Sequence, residues 1–171
     1  GMALFSGTRE MTVVKDLKVI NSYFTTVTAH GLAAISSRGC GVFQNIYADA
    51  ILVSVEQGSV GGILGMATKD GITIENCWSN CDITTAGRRA GGILANGNGK
   101  SKVVVKHCLN TGTLTRSFKN IGADNAFRTQ TGLFGGIVGG TGTGSKGDYK
   151  GQFEIVDCLN VGTIQSDREN D

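Results

Sequence analysis

The 171-residue sequence has no proline, no long run of one charge sign, and no apolar stretch near the ~20 residues of a membrane helix. Each absence removes a class of protein. Without proline, the 27 glycines do not belong to a collagen strand or a Pro-rich linker. Sixteen basic and 14 acidic residues leave a net charge of +2. That balance offers little electrostatic case for nucleic acid or an anionic membrane as a partner. The five cysteines are odd in number and form no CxxC pair. They do not look like the dense, even set of a disulfide framework. No secretory signal is visible. The chain opens Gly1-Met2, which points to a residue left by expression and to a chain drawn from a longer protein.

Aliphatic and β-branched residues are plentiful, so the chain is not a disordered glycine-rich tract. The length suits one domain with a core of its own. Glycine at this frequency beside β-branched residues fits short strands joined by tight turns.

The sequence also repeats itself. GGILG from Gly61, GGILA from Gly91 and GGIVG from Gly135 open three segments alike. Each is followed by a second phrase: ITIENCWSNCDI from Ile72, VVVKHCLNTGTL from Val103 and FEIVDCLNVGTI from Phe153. Cys77, Cys108 and Cys158 then align. Two weaker copies precede them. GLAAIS from Gly31 is set over GGILGM from Gly61. VFQNIYADAIL from Val42 sets Asn45-Ile46 over Asn76-Cys77. ALFS from Ala3 and VVKDLK from Val13 set Asp16-Leu17 over the same pair. The steps are 29, 31, 31 and 50 residues, the last enlarged by insertions at roughly 116–131 and 140–150. Five units result, at about 3–30, 31–60, 61–90, 91–134 and 135–165 of a single domain spanning residues 1–171.

Within a unit, apolar and polar residues alternate: Ile72 and Ile74 against Thr73 and Glu75, with Val103 and Val105, then Phe153 and Ile155, in the same places. Period two means strands with one inward face. No unit carries a ten-residue helical pattern. About three short strands per unit are expected, coiled as an all-β, right-handed parallel β-helix of about five rungs. Ile63, Ile93 and Ile137 should form one inner column, and Ile83, Leu114 and Ile164 another. Cys77, Cys108 and Cys158 should point inward as small apolar groups. Asn110 and Asn160 should stack their amides at a corner, with Gly112 and Gly162 making the bend. The paired glycines that begin at Gly61, Gly91 and Gly135 should supply turn conformations closed to other residues. Cys81 stands where Gly112 and Gly162 stand, so that corner should differ.

The alternation of GGILG and GGIVG with IENCWSN and CLNTGTL resembles the GLUG-motif repeats of bacterial cell-surface proteins. The resemblance covers most of the chain and is strongest from Gly61 onward. It implies an extracellular, surface-attached bacterial protein with adhesive or host-facing roles, and some such proteins carry the repeat beside a peptidase domain. It supplies no catalytic residue and implies no cofactor. The expected role is a non-catalytic spacer, or a surface that contacts glycans or host proteins. Neighbouring domains of the same chain are further partners, and nucleic acid is not expected. The alternatives are a fragment of a carbohydrate-active β-helix enzyme, and an accessory module of a surface peptidase whose HExxH motif would lie outside this sequence.

The cysteine column, with His107 and Asp157 nearby, could suggest zinc, but zinc needs four convergent ligands, whereas cysteines one rung apart lie in a line. A buried structural role is expected, with an inter-rung disulfide as the minor alternative. His107 aligns with Asp16, Asn45, Asn76 and Asp157 as a polar turn column; His30 is isolated. GNGKS from Gly97 lacks the first glycine of a phosphate loop and reads as a turn. GGTGTGSKGDYKG from Gly139 reads as a surface loop. Paired carboxylates are not recognisable: Glu75, Lys106 and Val156 share one outward column. Trp78 falls outside, in a column with Lys18, Tyr47, Leu109 and Leu159. Trp78 and Tyr47 are therefore the candidate ligand contacts. The competing and favoured reading is that RSFKNIGADNAFRTQ, from Arg116, folds over Trp78 through Phe118, Ile121 and Phe127. With no capping helix in the sequence, the open ends are expected to be covered by more chain or by partners.

Overall fold

The structure is a computed structural model. It describes residues 1–27, 31–55, 58–97, 102–117, 132–141 and 152–167. Among these the chain is all β, with sixteen strands and no helix. Every strand pairing is parallel, in sheets of twelve and four strands that coil into a β-solenoid.

One wall shows how the repeat becomes structure. β1 (Val13–Thr26) pairs with β3 (Ser36–Ser54), and β3 with β5 (Leu64–Glu75). β5 then pairs with β10 (Val103–Lys106), and β10 with β14 (Phe153–Val156). The register puts Val14, Phe43, Ile74, Val105 and Ile155 in one file. On the next wall Phe24, Leu52, Ile83, Leu114 and Ile164 make a second file. The third wall stacks β2 (Leu32–Ala33), β4 (Ser59–Gly61), β8 (Arg89–Gly91) and β13 (Leu133–Gly135). Beside it, Ile63, Ile93 and Ile137 link through backbone bonds of 3.0 Å, completing the expected inner column. Each fully buried aliphatic contributes roughly 1.5–3 kcal/mol before entropy. The middle three layers are closed on both sides. The last is open on one side among the described residues: Val105 and Leu114 are 0 % exposed, whereas Ile155 and Ile164 above them are 49 % and 46 % exposed.

The corners are more numerous than the sequence indicates. The fourth layer alone contains β8, β9 (Leu94–Asn96), β10, β11 (Leu109–Asn110) and β12 (Leu114–Arg116). Five short strands replace the expected three because the chain turns again within each repeated phrase. One of these turns is made by the polar column. Asp16, Asn45, Asn76, His107 and Asp157 all have positive φ, between 49° and 55°. Asn, Asp and His tolerate the left-handed region better than most side chains. Stacking then lets their side chains join: Asn45 Nδ2 donates to Asp16 Oδ1 at 2.8 Å, and His107 Nε2 lies 3.5 Å from Asp157 Oδ2.

Two sequence expectations need correction. The glycines of the GG pairs do not occupy the left-handed region; among the described glycines only Gly41 and Gly71 do. They are needed for close approach instead. A Cβ on Gly61, Gly91 or Gly135 would sit 2.0–2.1 Å from the carbonyl oxygen three residues on. One on Gly92 would meet Asn110 Cγ at 2.3 Å, and one on Gly136 would meet Asn160 Cγ at 2.2 Å. The second glycine thus admits the amide that reaches across from another wall. Gly112 is likewise pressed against the Cys81 carbonyl, 2.1 Å from where its Cβ would be. The second correction is a register. Gly31 does not lie over Gly61; Ala33 does, and Ser36 pairs with Leu64. A slip of two keeps every side chain on its proper face, and it brings buried Ile35 rather than Ala33 into the Ile63 file.

Candidate functional site

The segment after each left-handed turn runs inward, outward, inward. Ile46, Cys77 and Cys108 point in, as do Ala48, Ser79 and Asn110 two positions later. The residues between them must face out. β6 (Trp78–Ser79), β11 and β15 (Leu159–Asn160) carry this file. It runs Lys18, Tyr47, Trp78, Leu109, Leu159, as the repeat spacing indicates.

Trp78 is 44 % exposed and meets half-buried Tyr47 edge-on, with ring centroids 4.8 Å apart and planes at 63°. Edge-to-face packing sets the positive rim of one ring against the negative face of the other. The indole is also fixed from the layer above: Trp78 Nε1 donates to Thr111 Oγ1 at 2.8 Å, and Thr111 Oγ1 donates to Asn80 Oδ1 at 2.8 Å. Asp49 and Asn80 both act on the Tyr47 phenol. Desolvation, helped by the charge of Asp49, raises the Tyr47 phenol above its ordinary value. The outcome is a held aromatic pair, exposed on one side and edged by a carboxylate, an amide and a hydroxyl.

Asp49, Asn80 and Thr111 escaped the sequence reading, although a signal for them existed. Each lies two positions after Tyr47, Trp78 or Leu109, so period two assigns it to the same outer side. The insertion expected to fold over Trp78 lies almost wholly outside the described residues, as do His30, most of GNGKS and most of the 139–151 segment.

Cys77 and Cys108 are buried, and Cys158 is half-buried on the last layer. All are free thiols. Burial pushes the Cys158 thiol up, whereas the neighbouring Cys108 side chain holds Cys77 below its ordinary value. Asn110 Nδ2 donates to Asn160 Oδ1 at 2.7 Å, and Asn160 Nδ2 donates to the Gly162 carbonyl at 3.1 Å. Cys81 differs from its glycine counterparts by turning its sulfur inward, 3.7 Å from the Ala48 carbonyl. Among the described residues no three His, Cys, Asp or Glu side chains converge as metal ligands.

Comparison with family models, with curated proteins and with solved structures returns no match. The site therefore stands on its own geometry.

The remaining outer surface is differently built. Gln44, Glu75, Lys106 and Val156 form one outward file, in which Lys106 Nζ holds Glu75 Oε2 at 3.2 Å. Beside it a shallow groove of about 350 Å³ is floored by Val13, Val42, Thr73 and Val104, and Glu10 is the acidic residue that lines it.

Proposed function

We propose that this chain is a non-catalytic repeat module of an extracellular bacterial surface protein, and that Trp78 with Tyr47 is its contact point for a glycan. The GLUG-like phrases support the surface assignment. The carrying observation for the ligand is the Trp78–Tyr47 pair: its indole is exposed, pre-positioned against half-buried Tyr47 and flanked by Asp49, Asn80 and Thr111. A π face attracts the C–H face of a sugar ring, and carboxylate, amide and hydroxyl groups beside it suit the ring hydroxyls. Fixing the indole beforehand reduces the entropy lost on binding. Around this point the solenoid acts as a rigid spacer, because each layer is tied to its neighbours by continuous backbone ladders.

A glycan array tests the ligand. The chain should bind a defined subset of glycans, and Trp78→Ala should abolish that signal while the circular dichroism spectrum stays that of the folded chain. Binding that survives Trp78→Ala would refute the site. Absence of binding to any glycan would refute the glycan assignment and leave the spacer role alone.

A further inference from the structure

We propose that Cys108 and Cys158 form an oxidation-responsive thiol pair that closes to a disulfide and staples the last layer of the solenoid to the one beneath.

The pairing register places these two cysteines side by side. Lys106 pairs with Val156 and Leu109 with Leu159, so the residues between them are direct neighbours on adjacent layers. Adjacent strands lie ~4.8 Å apart, within the roughly 4.4–6.8 Å Cα separation that a disulfide requires. Both sulfurs adopt the same pose. Cys108 Sγ donates to the Lys106 carbonyl at 3.2 Å and lies 3.7 Å from the Ile74 carbonyl. Cys158 Sγ donates to the Val156 carbonyl at 3.3 Å and lies 3.5 Å from the Val105 carbonyl. The thiols also interact with each other, with Cys77 on one side of Cys108 and Cys158 on the other.

Access selects the pair. Cys40, Cys77, Cys81 and Cys108 are buried, and Cys158 is half-exposed on the open side of the last layer. A small two-electron oxidant, a peroxide, therefore reaches Cys158 first. The Cys158 thiolate attacks the peroxide: an S–O bond forms, the O–O bond breaks, and the departing oxygen takes a proton as water or alcohol. The product is a sulfenic acid. The Cys108 sulfur then attacks the Cys158 sulfur. The S–S bond forms, the S–O bond breaks, and hydroxide leaves with the Cys108 proton as water. Two thiols and one peroxide become one disulfide, with two electrons passed to the oxidant. The bridge closes a 50-residue step that contains both insertions, so the segment between the two layers becomes a covalent loop.

Mass spectrometry of the folded chain tests this. After hydrogen peroxide and alkylation of the remaining thiols, the unalkylated chain should be lighter by about 2 Da and should have lost two of its five free thiols. Tryptic digestion should yield His107–Arg116 joined to Gly151–Arg168. Cys77→Ala should leave this product unchanged, and Cys158→Ala should abolish it. Three results would overturn the proposal: Cys158 stopping at sulfinic acid with Cys108 still alkylatable, a Cys77–Cys108 bridge instead, or the same product forming equally in urea-unfolded chain.

Discussion

Alanine at Gly62 measures how tightly two walls of the solenoid meet. A Cβ there would lie 2.0 Å from Ser79 Oγ and 2.1 Å from the Gly92 carbonyl oxygen. Real Cβ atoms essentially never come within 3.0 Å, so something must move. Overpacking a core costs typically ~1–3 kcal/mol, and the upper end applies because one of the two atoms is backbone and both are buried. Against this, replacing glycine stiffens the unfolded chain and returns ~0.4–1 kcal/mol. The net loss is about 2 kcal/mol, or about 4–8 °C in Tm for a chain of this length.

The fold already contains the compensating pair. In the layer below, Ala34 takes the place of Gly62, and Ala48 takes the place of Ser79. That layer accommodates a methyl group where the opposing side chain is reduced to a methyl. Gly62→Ala combined with Ser79→Ala copies the arrangement and should recover about 1 kcal/mol or more as a coupling term. Urea and thermal unfolding followed by circular dichroism give all four corners of the cycle. Gly7→Ala is the control: its nearest neighbour, the Arg38 carbonyl oxygen, is 3.6 Å from the built Cβ, so Tm should not fall and should rise by about 1–4 °C. The reasoning fails if Gly62→Ala unfolds within about 0.5 kcal/mol of the parent, or if Ser79→Ala brings no relief.

Two further outcomes follow from the corners. Asn76→Val should cost about 1–2 kcal/mol in urea unfolding, because a β-branched residue resists a φ of 53°, whereas Asn76→Gly should change stability by less than about half that. Burial pushes the Cys81 thiol from 9.0 to about 11. The unfolded chain therefore releases this proton first, and the contribution is complete below pH 9 and is lost as pH rises toward 11, at about 1.4 kcal/mol per pH unit. Cys81→Ala should flatten the fall of Tm between those two pH values.

Inward positions were legible because stacking forces like onto like. Ile63, Ile93 and Ile137 share one environment, so one residue type recurs, and period two gave the walls. The left-handed column was legible for the same reason: Asp16, Asn45, Asn76, His107 and Asp157 answer one backbone demand. The register of the second layer is ambiguous by two residues in the sequence because Gly31-Leu-Ala-Ala-Ile is small and apolar throughout, and the pattern does not say which alanine replaces which glycine. The glycine pairs invite a conformational reason, whereas the true one is spatial. What a Cβ would strike lies on another wall, some 18 residues along the chain in the case of Gly92 and Asn110, and no local pattern reports that distance.

The outward files follow a different logic, which explains why the site was the least legible part. No core contact dictates Lys18, Tyr47, Trp78, Leu109 and Leu159, so four residue types occupy five equivalent backbone positions. A solenoid thereby separates its two tasks. Inner columns specify the coil and tolerate little, as the contacts at Gly62 and Gly92 show. Outer columns are independent positions one strand spacing apart, on which a recognition surface can be changed one layer at a time. Tyr47 and Trp78 meet at 4.8 Å because the ladder holds them at that interval. Their polar neighbours Asp49, Asn80 and Thr111 fall in line for the same reason, two residues further on. The aromatic pair at this face is thus a consequence of the repeat length: a one-residue insertion before Trp78 would turn the indole into the core and break the pair, whereas substitution at Trp78 alone leaves the coil intact.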